Sequence, residues 1–216
     1  MKQVLSLFSL FILNVIFLFL FSGCDKSLIY TPDSEWKFSV KKSNDNAINT
    51  IILKILSPKK IEWKYFVKDS NSFTDIIERS DALETTELLF ISEKSISLPS
   101  SGDFKLTGLI PNPQIRFPIS IGQTIKIKKS LKEEWTLKEG RKKYNGNKVT
   151  GKIEVAGKIY YNNPIVKDSC WVLNAIGESS VGSFKAKYYF NEKSGFVYFY
   201  YDFNEYKIEM ELIPMK

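Results

Sequence analysis

Histidine is absent from all 216 residues, and cysteine occurs only twice, at Cys24 and Cys170. Without imidazole, neither a Ser-His-Asp nor a Cys-His apparatus can be built, and the usual histidine-containing zinc sites are excluded. The commonest general base at neutral pH is missing as well. Glycine is sparse, 11 in all, and forms no phosphate-cradling loop or dinucleotide fingerprint; Gly177, Gly182 and Gly195 read as turn residues. No metal and no cofactor is therefore expected. Internal repeats, low-complexity tracts and long charge runs are also lacking. The basic excess is dispersed, since lysines alternate with apolar residues along strand-like text, and nucleic acid is excluded as a partner because its binders carry a concentrated basic stripe.

What is present begins with an uncharged apolar run from Val4 to Phe21, preceded by Lys2 as the one charge and closed by Ser22, Gly23 and Cys24. The stretch Phe21-Ser22-Gly23-Cys24 resembles the lipobox of bacterial lipoproteins. That resemblance implies a signal peptide over residues 1–23, cleavage before Cys24, a diacylglycerol on its sulfur and a further acyl chain on the freed amine. At about 0.8 kcal/mol per buried methylene, such an anchor is permanent and makes the membrane a partner. An uncleaved spanning helix is the alternative for the same run, which reaches the lower length limit for a span. In both cases Lys2 stays in the cytoplasm and the rest of the chain is exported. Asp25 resembles the retention signal of enteric inner-membrane lipoproteins, a rule that does not transfer to all lineages. The expected location is the bacterial cell envelope, at the outer membrane facing the periplasm. With Cys24 lipidated, Cys170 has no partner in the chain, and beside Val172 it reads as a small buried hydrophobe.

Residues 24–35 form the expected lipidated N-terminus and tether, and 36–216 a β-rich body of a size fit for one large domain. A composition of 44% hydrophobic and 14% aromatic residues argues against disorder. Trp36, Phe38 and Val40 alternate with polar residues, and Ile51–Leu56 and Ile61–Val67 flank Ser57-Pro58-Lys59-Lys60 as a hairpin. Ser72–Leu83 fits a short helix or an irregular strand. Leu88–Leu98 is extended. Pro111, Pro113 and Pro118 make 109–118 an irregular crossing and a candidate seam between two halves. Thr124–Lys129 alternates isoleucine with lysine; Val149, Ile153, Val155, Ile159 and Tyr161 read as one face of a long strand, with Gly151 and Gly157 placed to bend it. Phe184–Phe190 and Phe196–Phe203 form an aromatic hairpin around Asn191–Gly195, and Tyr206–Leu212 closes the chain. The fold class is all-β, with at most one short helix: an antiparallel meander of about ten strands as a curved sheet, a partly closed barrel or a sandwich.

Function is less legible. The aromatic hairpin is apolar on both faces, so Tyr188, Tyr198, Tyr200 and Tyr201 are candidates for a ligand or partner surface, with interior packing as the competing account. Trp135, among Lys126, Lys128, Lys129, Lys132, Arg141, Lys142 and Lys143, is a second candidate surface for an acidic glycan, headgroup or protein. Glu133-Glu134 and Glu209/Glu211 are the acidic pairs that a glycan or lipid hydrolase would need. Phe117-Pro118-Ile119-Ser120-Ile121-Gly122, Cys170-Trp171-Val172 and Tyr188-Tyr189-Phe190 through Gly195-Phe196-Val197 resemble uncharacterised periplasm-facing bacterial envelope β-proteins. Ile125 stands where that pattern has tryptophan, and Val166–Ser169 replaces its glycine-aromatic approach to the cysteine. The resemblance implies a β fold and no catalytic residue. A non-catalytic envelope lipoprotein that binds or assembles with an envelope protein, glycan or lipid is the first expectation. A carboxylate-dependent hydrolase and a β-cup carrier of an apolar ligand are the alternatives.

Overall fold

The computed structural model describes residues 29–43, 48–67, 73–78, 90–99, 102–130 and 148–215. Residues 1–23, Cys24, Lys132, Glu133, Glu134, Trp135, Arg141, Lys142 and Lys143 lie outside the described residues, while Lys126, Lys128 and Lys129 lie within them. Among the described residues twelve strands occur in chain order: β1 (Glu35–Lys42), β2 (Ile48–Ser57), β3 (Lys60–Val67), β4 (Phe73–Glu78), β5 (Ser95–Ser97), β6 (Gln114–Arg116), β7 (Thr124–Ser130), β8 (Lys148–Asn162), β9 (Lys167–Ser179), β10 (Gly182–Asn191), β11 (Gly195–Asp202) and β12 (Lys207–Ile213). Ten of them form one open antiparallel sheet in the order β4-β3-β2-β1-β12-β11-β10-β9-β8-β7, while β5 and β6 pair separately. The chain is thus a curved-sheet version of the expected meander rather than a closed barrel. Ser72–Leu83 resolves as strand β4 over its described part, and the short helix is instead a 3₁₀ segment at Gly102–Leu109.

The sheet runs unbroken through β1–β12, where Phe38 faces Leu212 and Val40 faces Met210, so the first and last strands meet at its centre. Alternation buries Ile51, Leu53, Ile55, Ile61, Trp63 and Tyr65 from β2 and β3 on the same side as Tyr188, Phe190, Phe199 and Tyr201. Residues 90–99 and 102–123 lie across this buried face between the β4 and β7 edges, contributing Phe90, Ile96, Leu98, Leu109, Ile110 and Ile115 to the same core. The proline-rich 109–118 is this crossing. Its close approach explains two glycines. Gly151 and Gly177 face each other on β8 and β9; a side chain at Gly177 would meet the Leu109 carbonyl at 2.1 Å, and one at Gly151 the Pro111 ring at 2.7 Å. Gly177 is therefore a strand residue of a notch that receives the crossing, not a turn, and Gly151 serves contact rather than bending.

The bend in β8 lies at Ala156-Gly157, where the register against β9 slips by one residue. A one-residue bulge moves every later side chain to the opposite face. Val149, Ile153 and Val155 are buried in the core as expected, but Ile159 and Tyr161 leave that face, which corrects the single-face reading of this strand. Lysines at 126 and 128 stand exposed on edge strand β7, where charge discourages pairing with another sheet.

Candidate functional site

The aromatic hairpin β10–β11 presents two different faces. Inward, Tyr188 is fully buried; its hydroxyl donates to the Pro111 carbonyl at 2.8 Å, and its ring contacts Phe196, Phe199 and Tyr201 edge-on. Tyr201 is buried and stacked on Phe203. Burial holds both phenols well above their usual range. Tyr188 and Tyr201 thus fill the core. Tyr198 and Tyr200 point outward and remain partly exposed.

The outer face is organised by the bulge in β8. Tyr189 and Tyr198, paired across the hairpin, stack with ring centres 4.7 Å apart. Tyr161, turned outward beyond the bulge, closes on them at 5.4 and 6.3 Å. Its hydroxyl donates to Glu211 Oε1 at 2.6 Å. Burial, then the neighbouring Glu211 carboxylate, pushes the Tyr161 phenol far up; burial and Glu209 do the same for Tyr198. Tyr200 lies between Lys187 and Glu209 in the register. The turn after β8 also reaches β12, with Asn163 Nδ2 donating to the Leu212 carbonyl at 3.1 Å. The β8–β9 hairpin therefore curls over the outer face and covers part of the aromatic cluster. Glu209 and Glu211 sit two apart on one strand and point the same way, tied to tyrosines. A glycosidase pair flanks the scissile bond from two sides, and this pair does not.

A polar clamp fixes that hairpin to the β10–β11 turn. Glu192 accepts from Trp171 Nε1 at 2.8 Å and pairs with Lys158 at 3.6 Å, while Lys158 rests 4.0 Å above the Trp171 ring. Lys193 pairs with Asp168 at 2.9 Å, and this lysine holds the Asp168 carboxyl below its usual range. Buried Asn191 caps the turn by accepting from the Lys193 and Ser194 amides and donates to the Ser169 carbonyl. Cys170 is buried beneath, its thiol pushed up to about 11 by desolvation, as suits a packing residue.

The N-terminus arrives at the same turn. Part of the expected tether is folded onto the body: Asp33 donates its amide to Ile55, and Ile55 donates to Ser34. Buried Tyr30 accepts the Phe196 amide at 2.7 Å and packs against Trp36 at 4.4 Å, while Trp36 Nε1 donates to the Ser194 carbonyl. Gly195, at φ 77°, lies directly under the Tyr30 ring, where any side chain would collide at 2.4 Å. Neither Tyr161 nor Tyr30 is singled out by sequence pattern. The signal for Tyr161 was Gly157, whose bulge decides the face; Tyr30 carries no local signal, because its partner is 166 residues away.

No protein-family model matches the chain, and no curated protein matches it. Among solved structures it is similar to one titled the crystal structure of the hypothetical lipoprotein YmcC from Escherichia coli (K12), with a TM-score of 0.45 and 10% sequence identity over 84% of this chain and 87% of that chain.

Proposed function

We propose that this chain is an envelope lipoprotein, anchored through Cys24 and exported to the periplasmic side of a bacterial outer membrane, whose β body is a non-catalytic binding or assembly module. The observation that carries the reading is the sequence Phe21-Ser22-Gly23-Cys24 placed five residues before Ile29, which is buried in the body. Such a short separation in sequence suits a body meant to work at a membrane surface. Tyr161 is bonded to Glu211 on the outer aromatic face and Lys193 to Asp168 in the clamp beside it, which favours a packing and recognition role over proton transfer.

The test is the mature protein itself. Intact mass should show loss of residues 1–23 and gain of a diacylglyceryl group with one further acyl chain, and Cys24→Ser should abolish incorporation of labelled palmitate. An unprocessed mass, or a Cys24→Ser protein that still fractionates with membranes at unchanged mass, overturns the anchor. Density separation of inner and outer membranes, with protease access only after permeabilisation, tests the location.

A further inference from the structure

We propose that the end of the sheet carrying Tyr160 seats directly on the bilayer, inserting Ile121, Ile159, Tyr160, Ile165 and Met215 at the boundary between headgroups and acyl chains. The inference rests on the lipid anchor proposed above and deepens it, by naming the face that the anchor presents.

Three observations converge. The first is a patch. These five are the large hydrophobic side chains left exposed among the described residues, Tyr160 and Ile121 most of all at 69% each. All belong to one end of the strands. Ile159, Tyr160 and Ile165 form the tip of the β8–β9 hairpin. Ile121 adjoins Gly122, whose amide donates to Val155 beside the bulge. Met215 follows the end of β12, where Leu212 accepts from Asn163. A monomer's surface scatters single apolar residues, whereas their collection at one end marks an interaction face.

The second observation is the route of the chain. Tyr160 faces Ser169 across β8–β9; Ser169 accepts from Asn191, Asn191 faces Gly195 and Tyr30 covers Gly195. The tether thus enters the body at the same end as the patch. From Cys24 to Ile29 there are five peptide steps, at most about 17 Å when fully extended. A folded partner of ~100 residues has a radius of gyration of about 13 Å and is too thick to fit beneath. Lipid is the occupant that the gap admits.

The third is the chemistry of the rim. Lys167, exposed and opposite Asn162 at the base of the same hairpin tip, is positioned for anionic headgroups, and tyrosine is a residue enriched at membrane interfaces.

The experiment uses the full mature lipoprotein reconstituted in vesicles of phosphatidylethanolamine and phosphatidylglycerol. One environment-sensitive fluorophore is attached through Tyr160→Cys, or through Glu205→Cys in the exposed turn at the opposite end; buried Cys170 stays unlabelled. Nitroxide on acyl carbons near the headgroups should quench the probe at 160 at least ~2-fold while leaving the probe at 205 within about a tenth of its starting emission. Equal quenching at both sites, or none at 160 on a chain whose intact mass includes the lipid, overturns the seating and leaves the anchor standing. A chain carrying no lipid overturns both.

Discussion

Lys129 offers the most quantitative test of the packing described above. Its ammonium is carried inward from edge strand β7 and donates to the Ile110 carbonyl at 3.1 Å and to Asn112 Oδ1 at 3.4 Å, both neutral acceptors on the crossing segment. Desolvation lowers its pKa to about 8, against 10.5 in the unfolded chain. A lysine with a depressed folded pKa destabilises the native state wherever it must be charged, so the penalty is complete below pH 8 and fades as pH rises toward 10.5. Over that window the unfolded chain binds more protons, and stability rises with pH. The shift corresponds to about 3 kcal/mol at most, and to ~1–3 kcal/mol allowing for partial access of water. Lys129→Met removes the titration while keeping most of the stem. Urea unfolding of both proteins from Asp25 onward, at pH 7 and at pH 9.5, isolates the effect, because the buried tyrosines contribute equally to each. Relative to Lys129→Met, the native protein should gain about 1–2 kcal/mol between the two pH values. A difference independent of pH, or one that grows in the other direction, would refute the burial argument and with it the tight seating of 109–118 on the sheet.

Other consequences are sharper in structure than in magnitude. Tyr161→Phe should cost about 1–2 kcal/mol in urea unfolding, since it deletes one hydrogen bond to a carboxylate while keeping the ring stack; no loss would mean that Glu211 finds an equal partner in water. Gly195→Ala should destabilise by more than ~2 kcal/mol, combining a left-handed backbone with the Tyr30 collision, and should expose residues 29–34 to protease before the body unfolds. Cys170 should resist alkylation at pH 8 in the native state, where a thiol near 11 is about one-thousandth thiolate, and should react fully in denaturant; prompt native labelling would contradict its burial.

The fold was readable where period-two alternation is strong and local. Trp36–Val40, Ile51–Val67 and Phe184–Phe203 each carry enough alternation and turn chemistry to locate a strand and its neighbour. The pairing of β1 with β12 was not readable, because no local signal joins residues so distant in sequence. The crossing of 109–118 was visible as a run of prolines, but the notch it fills was not: Gly151 and Gly177 look like a bend and a turn until the Pro111 ring and Leu109 carbonyl are set against them. Among the candidate tyrosines, parity separates Tyr188 from Tyr198 only once the second register slip, between Tyr189 and Phe190, is known.

The bulge at Gly157 is the step on which the proposed membrane end depends. Had β8 kept its register, Ile159 and Tyr161 would have continued the core face beyond the end of β10, where no strand remains to cover them. Slipping by one residue turns Tyr161 back onto Tyr189, Tyr198 and Glu211, which anchors the hairpin. The same slip sends Lys158 onto Trp171 and leaves Tyr160 projecting with no partner ring among the described residues. One inserted residue therefore sorts the last turn of the hairpin into a side that fastens and a tip that is left apolar and exposed. Deleting Ala156 removes the extra residue yet leaves Tyr160 opposite Ser169 and Tyr161 opposite Asp168, on the faces they already hold. The Tyr161–Glu211 bond and the quenching contrast between 160 and 205 should therefore both survive that deletion; losing either would show that the bulge does more than set which face each side chain takes.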